Sequence, residues 1–354
     1  MNKADRSFSR RADSERRQEV KSVNLGLQGG GAHGAFAWGV LDRLLEEDAI
    51  AFDGISATSA GAVNAVVCAY GLIQGGRAGA RQALREFWQE ISRAALLSPL
   101  QPSFLDRLMG NRSLETSPIF LLFHMLTQVV SPYELNPFNY NPLLDVLERM
   151  VDFELLQRNP QVKLFLSATN VRSGKIRVFE NHEVSAEVVL ASTCLPFIFQ
   201  AVEIDEEYYW DGGYMGNPAL FPLIYRCKAS DIVVIHINPI SRPTVPTTAA
   251  EILNRINEIS FNSSLMREVR AVEFLNRLVD EGRVLTPDIR QMRLHAIEAD
   301  EVMQHLGAAS KLNADWDFLI DLYTIGRKKA DAWLRDDFSK VGIKSSIDIQ
   351  DKYL

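Results

Sequence analysis

The chain has 354 residues, 47% of them hydrophobic, and a formal net charge of −7. This length and composition can supply a sizeable core for one large domain with additions, or for two domains, which argues against a disordered protein. The negative charge, and the lack of a basic stripe with interleaved aromatic residues, argue against a nucleic-acid partner.

Residues 1–21 make up a charged arm that is almost free of large apolar side chains. Because it has no apolar h-region, we predict a solvated, flexible arm rather than a secretory signal. An alternative is a basic arm that contacts anionic lipid head groups, since each Lys or Arg adds roughly 1 kcal/mol near such a surface. Only three cysteines occur, too few for a disulfide framework. We therefore expect a cytoplasmic protein with no signal peptide or transmembrane segment, and peripheral contact with a membrane is left open.

A βαβα unit is predicted close to the N-terminus. Residues 23–27 form an apolar strand that can be covered on both faces. Gly29, Gly30 and Gly31 then allow a sharp turn with exposed N–H groups, and an amphipathic helix follows over about residues 33–46. Backbone N–H groups at a helix N-terminus favour negative charge, so the glycine loop is a candidate anion site.

Ser59 lies at the turn between the second strand of this unit, residues 54–57, and the following helix. Its neighbours Ala57, Ala60 and Gly61 are small, as a tight strand-to-helix elbow requires when its side chain is to stand exposed. Open α/β sheets place their sites at the carboxyl ends of the strands. We therefore expect the glycine loop and Ser59 to face each other.

The chain between residues 98 and 142 breaks into prolines and asparagines around one very apolar stretch, residues 119–130. These 12 residues are too few to cross a bilayer. Two interpretations stay open: a core helix, or a lid or membrane-docking element whose apolar inner face covers an acyl pocket. His124, inside this stretch, is predicted to be a buried structural side chain and not a catalyst.

An aspartate turn is predicted further along the chain. Two short strands flank the acidic residues 205–207 and deliver Asp211 at a strand end, where Gly212 and Gly213 allow a tight turn. The other elements predicted here are a buried strand over 161–170, its antiparallel hairpin partner from 176, a short helix over 184–192, a buried parallel strand over 231–238, and long amphipathic helices over about 249–281 and 315–340. We expect the two long helices to form a layer that closes the sheet.

The glycine loop, Ser59 and the Asp211-Gly212-Gly213 turn, in this order, resemble the motifs of the patatin-like phospholipases. In that family a glycine-rich oxyanion loop, a Gly-x-Ser-x-Gly serine and a later Asp-Gly-Gly or Asp-Gly-Ala form a Ser-Asp dyad without histidine. The resemblance covers about residues 22–240. It implies an α/β, patatin-like three-layer fold with a mostly parallel central sheet flanked by helices.

The resemblance also implies site residues. Ser59 would be the nucleophile and Asp211 the base, and the oxyanion hole would comprise Gly29, Gly30 and Gly31. The positions that support these motifs would be Gly34, Ala57, Gly61, Gly212 and Gly213. In two places the sequence departs from the family pattern: Ala57 replaces the first glycine of the serine motif, and His33 stands where the family usually has Arg or Lys. A histidine there could be cationic near pH 6.

The implied activity is hydrolysis of carboxylic esters of lipids, of a phospholipase A or lysophospholipase type. The substrate would be a lipid or another acyl ester, and no metal or cofactor is needed. A free aspartate, with a pKa of about 3.9, is a poor base for a serine hydroxyl, so the site must ease serine ionisation or raise the pKa of the carboxyl by desolvation. The predicted organisation is a catalytic domain over 22–240, with 98–142 as a lid or insertion, and a helical C-terminal extension over 241–354.

Two other interpretations remain at this stage. An α/β-hydrolase with a Ser-His-Asp triad would use the same elbow, and His236 is then the candidate histidine. A non-enzymatic nucleotide-binding module would use the glycines at 29, 31 and 34 as a dinucleotide fingerprint, with Asp53 as the ribose-binding acid. That acid should sit at the far end of its strand, whereas Asp53 precedes the predicted strand.

Overall fold

The computed structural model describes residues 20–95, 122, 125–127, 129–283 and 290–353. One sheet of eight strands forms its centre. The strands are β1 (Lys21–Leu27), β2 (Ile50–Thr58), β3 (Lys163–Asn170), β4 (Ile176–Glu180), β5 (Val202–Ile204), β6 (Glu207–Asp211), β7 (Asp231–Ile235) and β8 (Arg293–Ile297).

The strand order is β5-β6-β3-β2-β1-β7-β8, and β4 also pairs with β3. The pairs β3–β2, β2–β1, β1–β7 and β7–β8 are parallel, whereas β3–β4, β3–β6 and β5–β6 are antiparallel. The predicted mostly parallel sheet and the predicted hairpin are both confirmed.

Helices cover both faces of this sheet. They are α1 (Gly34–Leu44), α2 (Ala60–Ala95), α3 (Pro132–Leu135), α4 (Pro142–Met150), α5 (Phe153–Arg158), α6 (Ala186–Thr193), α7 (Phe221–Arg226), α8 (Ala249–Asp280), α9 (Asp300–Met303), α10 (Trp316–Asp336) and α11 (Ile349–Tyr353). Short 3₁₀ turns lie at Gly31–His33, Asn181–Glu183, Gly212–Tyr214, Ala308–Leu312 and Phe338–Lys340. The backbone leaves the helical conformation at Gly75 and Gly76, so α2 is two helices joined at these two glycines.

Side chains of the buried central strands alternate between two apolar cores, because successive residues of a strand point to opposite faces. In β7, Val233 and Ile235 belong to the core under α1, α2 and α10, while Ile232 and Val234 belong to the core under α7, α8 and α11. This alternation gives the three layers that the sequence predicts.

Strand β8 and helix α10 tie the C-terminal part of the chain to the same sheet. His295 of β8 lies 3.0 Å from Asp231 of β7, and α10 packs closely on α1 with the Trp38 and Tyr323 ring centroids 4.2 Å apart. Strand β8, which lies within the predicted helical extension over 241–354, completes the edge of the sheet.

The register of β3 positions the end of β6. Ser167 of β3 pairs with Thr58 of β2, and the next residue, Ala168, pairs with Asp211 of β6. One edge of β3 pairs with β4 over Phe165–Thr169. Strand β6 therefore pairs with the opposite edge of β3, directly after the residues that pair with β2. Asp211 consequently lies beside the point where β2 turns into Ser59.

The predictions for residues 1–19 and 96–121, and for His124, lie outside the described part of the chain. In the apolar stretch 119–130, the side chains that are described are largely exposed, by 59% at Leu122 and 85% at Val129. Leu122 and Val129 are seven residues apart and can share the exposed face of one helix, so both interpretations of this stretch stay open. None of the helices in the described ranges is long and apolar enough to span a membrane.

Candidate active site

Ser59 occupies the turn between β2 and α2 in a conformation that is rare for its residue type. Its φ is +56°, in the left-handed region that residues with a Cβ seldom adopt. Its backbone N–H donates to the Ser192 hydroxyl at 3.0 Å, and Gly61 lets α2 start directly against the Leu27 carbonyl. Such a strained conformation costs of order 1–3 kcal/mol and persists at functional sites because the surrounding structure holds it.

Asp211 lies at the end of β6, with its side chain only 1% exposed. Its Oδ1 atom accepts a hydrogen bond from the Gly213 N–H at 2.7 Å. Burial raises the pKa of the carboxyl to about 6, while the Ser59 hydroxyl, the Gly213 N–H and the Lys311 charge oppose that rise. The desolvation that a base at this position requires is therefore present.

The Ser59 hydroxyl and the Asp211 carboxyl are neighbours. The hydroxyl is near enough to lower the pKa of Asp211, although the buried Oδ2 atom accepts no hydrogen bond of good geometry within the described ranges. Catalytic hydrogen bonds are often long in the absence of substrate. Oδ2 is thus a buried acceptor with spare capacity.

The glycine loop lies directly against Ser59. A methyl group on Gly29 would come within 2.5 Å of Ser59 Cβ, so only glycine fits there. The Gly29 N–H donates to Asn217 Oδ1 at 2.7 Å, whereas in the described part of the chain the N–H groups of Gly30 and Gly31 have no recorded partner. Of the three predicted oxyanion donors, Gly30 and Gly31 therefore have their N–H groups available.

His33 is buried and neutral. Its Nε2 lies 2.8 Å from the Ser310 hydroxyl, and burial together with the nearby Lys311 charge lowers its pKa to about 3. Burial thus disfavours the cationic state near pH 6 that the sequence left open, because the side chain points into the protein instead of solvent.

A network of buried amides holds the loop, and sequence reasoning missed it. Gln28 Oε1 accepts the backbone N–H groups of Ile237 and Asn238, at 2.9 and 3.0 Å. Asn238 Nδ2 donates to the Gly29 carbonyl at 2.9 Å, so Gly29 is held from both sides, by Asn217 and by Asn238. The signal available in the sequence was weak: Asn238 follows a buried parallel strand, and Asn217 follows the aspartate turn.

Lys311 is the second group that sequence reasoning missed. Its Nζ donates to Asn238 Oδ1 at 2.8 Å, and burial lowers its pKa to about 8. The Glu258 and Asp211 charges oppose this shift, whereas Arg242 adds to it. No local pattern around Lys311 marks it, because its hydrogen-bond partner Asn238 lies 73 positions away in the chain.

The other two interpretations do not fit these positions. His236 Nε2 lies 2.5 Å from the Tyr353 hydroxyl, and burial lowers the pKa of His236 to about 3, so the ring is paired away from Ser59. Asp53 accepts hydrogen bonds from Lys163 Nζ at 3.0 Å and from the Ala229 N–H at 2.8 Å, near the start of β2 and away from the glycine loop. His236 is therefore not positioned to act in a triad with Ser59, and Asp53 is not positioned to bind a ribose at the glycine loop.

The fold and this site define an α/β protein with an elbow serine, a buried aspartate and a glycine loop at the carboxyl end of a mostly parallel sheet. The sequence model of the family described as Patatin-like phospholipase matches residues 25–224, more than half of the chain. The chain belongs to this family.

Comparison with curated proteins finds no match. Among solved structures, the chain is similar to VipD from Legionella pneumophila, with 16% identity and a TM-score of 0.32. The match covers 85% of this chain and 66% of the VipD chain, so this chain spans just under two thirds of that length. At this TM-score the likeness adds nothing to the assignment of the fold.

Proposed function

We propose that the protein is a serine acyl hydrolase that cleaves carboxylic ester bonds of lipids, with phospholipase A-like or lysophospholipase-like activity. One observation carries the proposal: the strained Ser59 lies between the buried carboxyl of Asp211 and a glycine loop with available N–H groups. A nucleophile, a base and anion donors are the three parts that acyl transfer needs. Membership of the family supports the lipid substrate class.

In the first step the Ser59 hydroxyl oxygen attacks the ester carbonyl carbon while its proton passes to Asp211. With a pKa of about 6, Asp211 is a stronger base than an ordinary aspartate and is still mostly ionised at neutral pH. Oδ2 is the accepting atom, since Oδ1 is held by the Gly213 N–H. This arrangement requires no histidine.

The carbonyl oxygen becomes an oxyanion in the tetrahedral intermediate. The N–H groups of Gly30 and Gly31, and the start of α2 next to Ser59, are the proposed donors, while Gly29 positions the loop through Asn217 and Asn238. Each such donor stabilises the transition state by roughly 2.7–4 kcal/mol.

Collapse of this intermediate expels the alcohol, which takes the proton from Asp211, and leaves an acyl group on Ser59. Water then attacks the acyl-serine while Asp211 accepts a proton from it. A second collapse releases the fatty acid and returns the proton to Ser59. The cycle uses one water for each ester bond and restores the site.

We also propose that an apolar surface beside the site contacts lipid. Helix α3 docks on the loop before β5, because the Tyr133 hydroxyl accepts the Ala201 N–H at 3.3 Å and Gln200 donates to the Asn136 carbonyl at 2.8 Å. Around these contacts Phe138 is 93% exposed and Phe197 is 59% exposed. Exposed aromatic side chains of this kind suit peripheral contact with a membrane surface or with an acyl chain.

The proposal is tested by incubating the protein with phospholipids, lysophospholipids, acylglycerols and short aryl esters and measuring the released acid. We expect acid release from at least one lipid class, with the Ser59→Ala variant as the inactive control. Absence of release from every member of the panel, or equal release by the control, would overturn the proposed function. The panel also identifies the head group and the acyl length.

A His236→Gln variant separates the dyad from a Ser-His-Asp triad. We expect its kcat/KM to stay within about threefold of the unaltered protein, because the imidazole is paired with Tyr353 rather than Ser59. Loss of the buried hydrogen bond should cost roughly 1–3 kcal/mol of the free energy of unfolding. Complete loss of esterase activity in a variant that circular dichroism shows to be folded would support the triad instead.

A further inference from the structure

The 3₁₀ turn Ala308–Leu312 forms one wall of the candidate active site. The Lys311 carbonyl packs against the Cα of Gly31, and the Ser310 hydroxyl lies 2.8 Å from His33 Nε2. These contacts place a segment from the C-terminal part of the chain on the loop whose N–H groups are the proposed oxyanion donors. The matched family region ends at residue 224, so this wall lies outside it.

The Lys311 ammonium lies between the glycine loop and the aspartate turn. Nζ donates to Asn238 Oδ1 at 2.8 Å, and Asn238 in turn donates to the Gly29 carbonyl at 2.9 Å. On the other side, Nζ lies 5.6 Å from the centre of the Phe261 ring, which packs against Gly213 in the turn after Asp211. The ammonium is thus connected to both halves of the site.

Among the described residues, the Lys311 ammonium has no counter-ion in contact. In the part of the chain that the structure describes, no carboxylate oxygen is recorded within 4.0 Å of Nζ, and Glu258 is already paired with Arg242 and Arg255. An ammonium has three donors, and Asn238 takes one of them. Lys311 is partly buried, and a charge that is removed from water is costly unless something of opposite sign compensates it. A negative charge that develops during the reaction would provide that compensation.

We infer that Lys311 is a positioning residue of the hydrolase: it holds the glycine loop through Asn238 and supplies the positive charge against which the oxyanion forms. The inference rests on the proposed function. Lys311 makes and breaks no covalent bond and transfers no proton in the cycle. Its effect is largest in the transition state, because that is where negative charge appears near the loop.

Lys311 carries its positive charge only below its pKa. The charged groups that face it are Asp211 at the end of β6, Glu258 of α8 and Arg242 after β7, while His33 beside the glycine loop is neutral. Burial holds the pKa of Lys311 at about 8, so the ammonium is present below this pH and is lost above it. The rate should therefore fall at alkaline pH.

The test compares Lys311→Met and Lys311→Arg with a control variant, Lys344→Met, which removes an exposed lysine near the C-terminal end of the given sequence. With a short neutral aryl ester as substrate, we expect Lys311→Met to lower kcat about 10- to 100-fold with KM within about threefold, somewhat less than the loss of a direct oxyanion donor. Lys311→Arg should recover most of kcat, and Lys344→Met should match the unaltered protein. The fall of kcat at alkaline pH should vanish in Lys311→Met. In Lys311→Arg it should move to higher pH, because arginine stays charged.

Three results would overturn the inference. They are an unchanged kcat in Lys311→Met, a loss confined to KM, which would assign Lys311 to substrate binding, and an alkaline fall that persists in both variants. If Lys311→Met does not fold, the pH profiles of the unaltered protein and Lys311→Arg still decide. Failure of the proposed function is distinct, because the unaltered protein would then release no acid and would not react with an organophosphonate.

Discussion

Replacing Ser59 with alanine is expected to abolish turnover, with a fall in kcat of at least about 10⁴-fold, as for other serine nucleophiles. The reason is that no other hydroxyl in the described site stands beside both the Asp211 carboxyl and the glycine loop. The measurement is acid release from the best substrate of the lipid panel. An organophosphonate should label the unaltered protein once, at Ser59, and should not label the variant.

The matched control for Ser59→Ala is Ser339→Ala, which removes an exposed hydroxyl near the C-terminal end of α10. This control should keep full turnover and full labelling. Undiminished labelling of Ser59→Ala, located by peptide mass spectrometry, would contradict the assignment of Ser59 as nucleophile.

Replacing Asp211 with asparagine is expected to lower kcat by about 10³- to 10⁴-fold while the fold persists. The asparagine Oδ1 atom can still accept the Gly213 N–H, but the side chain no longer takes a proton from Ser59. In the unaltered protein the carboxylate is the active form, so kcat/KM should rise with pH through the pKa of about 6 and stay level until the alkaline fall expected from Lys311 near pH 8. Near-normal turnover in Asp211→Asn would end the dyad assignment.

The same variant should make the protein more stable at neutral pH. The pKa of Asp211 is raised in the folded state from 3.8 to about 6, so the folded protein holds the proton more tightly than the unfolded chain does. Above pH 6 the folded state carries a buried carboxylate at a cost of about 1–3 kcal/mol, which asparagine removes. Urea unfolding should show this gain at pH 7.5 and a smaller gain at pH 4. No difference between the two pH values would mean that burial does not destabilise the carboxylate.

Local patterns in the sequence were sufficient for much of the fold. The apolar run of β1, the glycine loop and the small residues around Ser59 predict a βαβα unit because each depends on neighbours within a few positions. The hairpin of β3 and β4 is predicted for the same reason, since a short turn fixes its register. By contrast β8, which is 5 residues long, becomes a strand only because β7 offers it an open edge. Its sequence lies between helical segments and carries little strand signal of its own.

The sequence by itself determined which residue types the candidate site contains and in what order: a glycine loop, Ser59 and Asp211. Only the tertiary structure decided their chemistry. The pKa of Asp211 depends on burial, and the neutral state of His33 depends on burial and on the Lys311 charge, more than 270 positions away in the chain. Desolvation and charge act through space, so they follow the packing of distant segments and leave no mark in a local pattern. For this reason neither the protonation state of His33 nor the presence of Lys311 beside the glycine loop could be predicted from the sequence.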